Sequence, residues 1–232
     1  MFDNYSAYII NNPISCIAVF ITILPIALTI TRRAFVDQSL RMLFIYLIIK
    51  LIIDLAMLHC ACTRTNNLIL YNLSIPLFYG LLGGMFYFKF TGRREKQFLI
   101  ASIIGFSLFS AWDLVNSNTT LTDLHEHRIV VYSKTIEGVL MIFLILLYFY
   151  EIIKSLQIPN LLTFPFFWVC SGLLLYYSSL IFIAPVLHYA STWRNPVDLG
   201  VTEVVPIIFE IICALLLSIG IYQYPPKDYA KQ

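Results

Sequence analysis

The sequence predicts an all-α fold, a polytopic membrane bundle of seven transmembrane helices in a single domain spanning 1–232. Three observations predict it. Of the 232 residues, 59% are hydrophobic and only 12% charged, where a soluble domain is about a quarter charged. Apolar runs of about 20 residues, the length a helix needs to cross the hydrocarbon core, recur with short polar breaks between them. Basic residues gather in alternate breaks, the pattern that orients membrane helices. A water-soluble globule is excluded.

The spans fall at about 8–30, 40–59, 67–90, 98–116, 129–150, 161–185 and 201–222. The first, Tyr8 to Ile30, contains Pro25 and is followed by Arg32-Arg33. The second, Leu40 to His59, carries Lys50 and Asp54, four residues apart and so stacked on one helix face. The third, Asn67 to Phe90, holds Asn72 and Pro76 and runs into Lys89. The fourth, Phe98 to Asn116, follows Arg93, Arg94 and Lys96 and ends with Trp112-Asp113. The fifth, Ile129 to Tyr150, bears Lys134 and Glu137, three apart on one face. The sixth, Leu161 to Pro185, includes Pro165 and Tyr176-Tyr177. The seventh, Val201 to Tyr222, carries Glu203 and Glu210 two turns apart, with Pro206 between them. Each interior proline removes a backbone donor and is expected to bend its helix.

The breaks after spans one, three and five, together with the tail, hold ten basic residues: Arg32, Arg33, Arg41, Lys89, Arg93, Arg94, Lys96, Lys154, Lys227 and Lys231. The opposite set holds three, Arg64, Arg128 and Arg194. This places the amino terminus outside and the carboxyl terminus in the cytoplasm. No basic segment with a small-residue cleavage site precedes the first span, so no removable signal peptide is expected. No break or tail is long enough to fold alone. The net charge of +2 follows from topology and implies no nucleic-acid partner. Cys16, Cys170 and Cys213 read as packing residues, and five cysteines are no disulfide framework.

Polar depth is the most informative feature. At 1.5 Å per helical residue, Lys50, Asp54, Asn72, Asp113, Lys134, Glu137, Tyr176, Tyr177, Glu203 and Glu210 map to the outer half or the midplane. The inner segments, such as Met42 to Ile49, Leu81 to Phe88 and Leu140 to Phe149, carry no acid or base. An ionisable group at that depth costs about 2.5–3.5 kcal/mol or more and faces the bundle interior. The expectation is an outward-facing polar pocket over a dry floor, lined by those ten residues and by Trp112. Lys50 pairs with Asp54 and Lys134 with Glu137, whereas Glu210 has no partner on its own helix. Acids outnumber bases in this set, so some are protonated or a cation is bound.

His59, Cys60, Cys62, His125 and His127 map to the outer face. They are metal-ligand candidates by chemistry, but their spacing fits no structural zinc motif and no metal is assigned. No Gly-rich phosphate loop, Gly-x-Ser-x-Gly or His-Glu-x-x-His occurs, and no cofactor is implied. The prolines in Ile75-Pro76-Leu77-Phe78-Tyr79 and Val205-Pro206-Ile207-Ile208-Phe209 sit at matching places in spans three and seven. They fit a three-plus-one-plus-three helix plan.

The run Pro165-Phe166-Phe167-Trp168, then Gly172-Leu173-Leu174-Leu175-Tyr176-Tyr177-Ser178-Ser179, with Asn72 and Glu137, resembles poorly characterised bacterial seven-helix membrane proteins that stand alone or accompany histidine kinases. The resemblance implies a sensory role in a bacterial inner membrane. The seven-helix sugar-transporter-like family has a similar plan, but its Pro-Gln signature is absent. The function expected is binding of a small ligand, lipid or proton in the outward pocket, signalled to a cytoplasmic or membrane partner protein. The alternatives are a small secondary transporter, an intramembrane lipid-modifying enzyme and a scaffold subunit.

Overall fold

The computed structural model describes residues 2–118, 128, 130–155, 161–190 and 199–224. Among them every regular element is a helix: α1 (Phe2–Asn11), α2 (Pro13–Ile21), α3 (Ile23–Thr31), α4 (Gln38–Thr63), α5 (Leu68–Lys89), α6 (Arg93–Ser117), α7 (Val131–Ser155), α8 (Pro165–Ala190) and α9 (Leu199–Tyr222). Among the described residues seven segments are long and apolar enough to cross a membrane, the first being Pro13–Thr31. Large apolar side chains such as Ile52, Leu108, Phe182 and Ile153 cover the outside of the bundle, as a lipid solvent requires.

The first span differs from the single helix expected. It is three pieces, broken at Asn12 and Thr22. Pro13 takes the first position of α2, where a missing N–H costs nothing. Pro25 cannot donate to the Ile21 carbonyl one turn back, and the helix is interrupted at Thr22, immediately before α3. Pro76 and Pro206 instead lie inside unbroken helices. Pro165 is a correction: it opens α8 after a 3-10 turn at Leu161–Thr163 rather than bending a continuous span.

The tightest pairings are α8 with α9, α4 with α5, and α7 with α8; α2 and α3 lie against α9, and α5 also meets α7. α8 and α9 approach closely because small residues face each other. A Cβ on Gly220 would stand 2.6 Å from the Pro165 carbonyl oxygen, and one on Gly172 would stand 3.2 Å from that of Cys213. Small residues at such crossings let backbones pack in lipid.

The end of the bundle bearing Lys89 is closed by aromatic rings. Phe86, Phe90, Tyr148 and Phe166 pack with centroids 5.0–6.2 Å apart, mostly edge to face. Beneath them lie Leu43, Leu47, Leu82, Met85 and Leu144, all fully buried. Asp37 caps α4 by accepting from the Ser39 and Leu40 amides and pairs with Lys89 at 3.3 Å. Lys50, Asp54, Asp113, Lys134 and Glu137 are buried in the other half, and the functional site is built there.

Candidate functional site

The first cluster joins α4 to α9. Tyr46, Lys50 and Asp54 follow at four-residue intervals and share a face of α4. The Lys50 ammonium donates to Asp54 Oδ2 at 2.5 Å and also to Glu210 Oε1, 160 positions along the chain. Glu210, without a partner on α9, thus finds one across the interface. Its side chain is 24% exposed, against 11% for Lys50 and 9% for Asp54.

A cavity of about 350 Å³ ends on this cluster. Asp54 and Glu210 line it together with Tyr8, Ser15, Met57 and Asn67, so its walls come from α1, α2, α4 and α9. A void of about 20 Å³ lies on the other side of Glu210, bordered by Thr22, Tyr46, Lys50, Tyr176 and Cys213. Glu210 therefore stands between an open cavity and a nearly filled space that Thr22 also borders, while Asp54 lines the open cavity.

The second cluster is sealed. On α7, Lys134 donates to Glu137 Oε2 at 2.8 Å, and the Tyr177 hydroxyl donates to Glu137 Oε1 at 3.2 Å. The Glu137 side chain has no exposed surface and that of Lys134 has 8%. The Lys134 ammonium also stands 5.6 Å from the Tyr71 ring centroid, a cation–π arrangement that supports a buried charge. Tyr176 and Tyr177, whose rings meet at 5.2 Å, divide between the clusters: Tyr176 borders the first and Tyr177 completes the second.

Asp113 and Asn72 have a different place. Asp113 Oδ2 accepts from the Ser133 amide at 2.8 Å and its hydroxyl at 2.6 Å, while Oδ1 accepts from Ser117. One of the unsatisfied amides at the start of α7 is thus capped by a residue of α6. Asn72 donates to the Arg128 carbonyl at 2.8 Å and accepts from the Val130 amide at 3.2 Å. Both residues anchor the chain entering α7 and do not line the cavity.

Trp112 is a further correction. It is 59% exposed and its ring lies tilted against that of Phe109 on the outer surface of the bundle. Neighbours on a helix point about 100° apart, so a buried Asp113 turns Trp112 outward. The side chain of Glu203 lies outside the described residues, as do His125 and His127. His59, Cys60 and Cys62 are on the last turns of α4 rather than in a loop. His59 Nδ1 bonds the Tyr5 hydroxyl at 2.5 Å, Cys62 is buried, and no group of three metal-ligating side chains occurs among the described residues.

Sequence reasoning missed Tyr46, Tyr8, Ser15 and Thr22. Tyr46 had a signal, the four-residue spacing to Lys50. The others come to the site only through the packing of α1 on α4 and of α2 and α3 on α9. No family model, no curated protein and no solved structure matches the chain.

Proposed function

We propose that this chain is a receptor-like protein of a bacterial inner membrane, with the cavity opening outward and the aromatic-sealed basic end in the cytoplasm. A small ligand enters the cavity and meets Asp54 and Glu210. Its binding competes with or reinforces the Lys50 bridge, so one spacing of α4 and α9 gains over another. The basic end presents that spacing to a signalling partner protein. The observation that carries this reading is the cavity ending on a cross-helix ion pair, above a half of the bundle that is dry and packed with rings.

The test is a distance. Spin labels at the exposed positions Arg41 on α4 and Ile219 on α9 report the spacing at the basic end. Glu210→Gln, which removes one arm of the bridge, is expected to shift it by about 1–2 Å, the scale of helix shifts in switching proteins. An unchanged distance contradicts the reading.

A secondary transporter is the second reading, favoured by two observations. The hydrogen-bond ladder of the first span is interrupted beside the charge cluster at Thr22, which itself keeps helical dihedrals, and transporter helices are discontinuous at substrate sites. The pairing of α3 with α9 and of α5 with α7 also fits a three-plus-one-plus-three plan. Flux of a bound compound into proteoliposomes favours transport; binding without flux favours the receptor.

A further inference from the structure

We propose that the ligand of the α4–α9 cavity is a small organic monocation with a primary ammonium group, held by Asp54 and Glu210; this rests on the receptor reading of the same cavity. The protein already displays the interaction within itself. Lys50 is a primary ammonium on a short alkyl stem, and its nitrogen is shared by both carboxylates. Two acids from different helices are therefore spaced to grip one ammonium.

The grip is only half used. Lys50 occupies Asp54 Oδ2 and Glu210 Oε1. No donor among the described residues reaches Asp54 Oδ1 or Glu210 Oε2, and both residues line the cavity. A charge-assisted hydrogen bond to a carboxylate is roughly twice as strong as a neutral one, so these oxygens select for a cationic donor.

Charge balance points the same way. Across the two clusters Lys50 and Lys134 face Asp54, Glu137 and Glu210, leaving one negative charge in excess. Uncompensated charge in the membrane interior is costly, and one monovalent cation neutralises it, as a proton on one of the acids also does. Among the described residues no lysine or arginine lines the cavity, so an anion finds no cationic partner among them.

Shape separates an organic ammonium from a bare metal ion. Calcium takes six to eight oxygen ligands, whereas Val19, Met57, Leu58 and Ile207 make much of this wall apolar. The volume of about 350 Å³ lies at the lower end for small-molecule sites. A short hydrocarbon body with one ammonium head fits both the wall and the acids.

The experiment uses the full chain in lipid nanodiscs with three isosteric probes, n-propylammonium, propionate and 1-propanol, at constant ionic strength, with sodium and potassium chloride as controls. Calorimetric titration and thermal unfolding are the readouts. Only n-propylammonium is expected to bind and to raise the melting temperature. Asp54→Asn and Glu210→Gln each weaken it at least tenfold, and Trp112→Ala leaves it unchanged. Lys50→Met tightens it tenfold or more, because the internal competitor is gone; where that variant does not fold, the two acid variants decide alone.

Equal binding of all three probes, an equal effect of sodium, or retained binding in Glu210→Gln overturns the proposal. If the Arg41–Ile219 distance responds to Glu210→Gln but n-propylammonium does not bind, the ammonium assignment alone falls. If n-propylammonium binds and the distance stays fixed, the binding site stands and the receptor reading falls.

Discussion

Two lysine–acid pairs, written almost identically in the sequence, differ in where their second partner comes from. Lys134 and Glu137 are completed by Tyr177 from α8 and are shut away, with no exposed surface on the Glu137 side chain. Lys50 and Asp54 are completed by Glu210 from α9, which remains part-exposed beside a cavity. The first pair is a closed knot, in which every change leaves a charge stranded. The second is a bridge with spare acceptors and space next to it, so its partners can be exchanged at low cost. Burial of an ion pair alone says little about function; an exchange route beside it says more.

The difference can be broken by substitution. The largest effect is expected for Glu137→Ala, which strands the Lys134 ammonium in a sealed site and costs about 3–5 kcal/mol; unfolding in detergent or lipid measures it. A loss below about 1 kcal/mol would make the two clusters equivalent. Asp113→Ala comes next. It leaves the Ser133 amide and hydroxyl without their acceptor, at about 1–3 kcal/mol, and hydrogen exchange is expected to quicken at the start of α7 before elsewhere.

Glu210→Gln is expected to cost only about 1 kcal/mol, the scale of one net hydrogen bond, because Asp54 still neutralises Lys50. Its effect should instead appear in ligand binding and in the α4–α9 spacing. A large stability loss there with no change in binding would make the bridge purely structural. Trp112→Ala is the smallest, within about 0.5 kcal/mol as for surface positions away from special features, and silent in binding.

Seven apolar segments were legible because hydropathy is a property of local composition, and bundle formation in lipid follows from it. The Lys50–Asp54 and Lys134–Glu137 pairs were legible because helical spacing alone brings them together. The Glu210 partner was not, since Lys50 lies 160 positions away and only the packing of α2 and α3 against both α4 and α9 brings the two side chains within reach. Depth counting grouped Asn72 and Asp113 with the charged residues but could not give their direction; both turn to the backbone entering α7. The same method put Trp112 in the pocket because it reads height along a helix and not angle around it. The break at Thr22 was foreshadowed by Pro25, yet Pro76 and Pro206 carry the same signal within continuous helices. Proline marks where a helix can break, and neighbouring packing decides whether it does.

Carboxyl footprinting tests the central contrast most directly. The protein, folded in lipid, is treated with a water-soluble carbodiimide and an amine nucleophile, and modification is mapped by mass spectrometry. Asp54 and Glu210 are expected to be labelled through the cavity while Glu137 stays unmodified until the protein unfolds. Labelling of Glu137 at the same rate, or silence at Glu210, would contradict the division between an exchangeable bridge and a sealed knot.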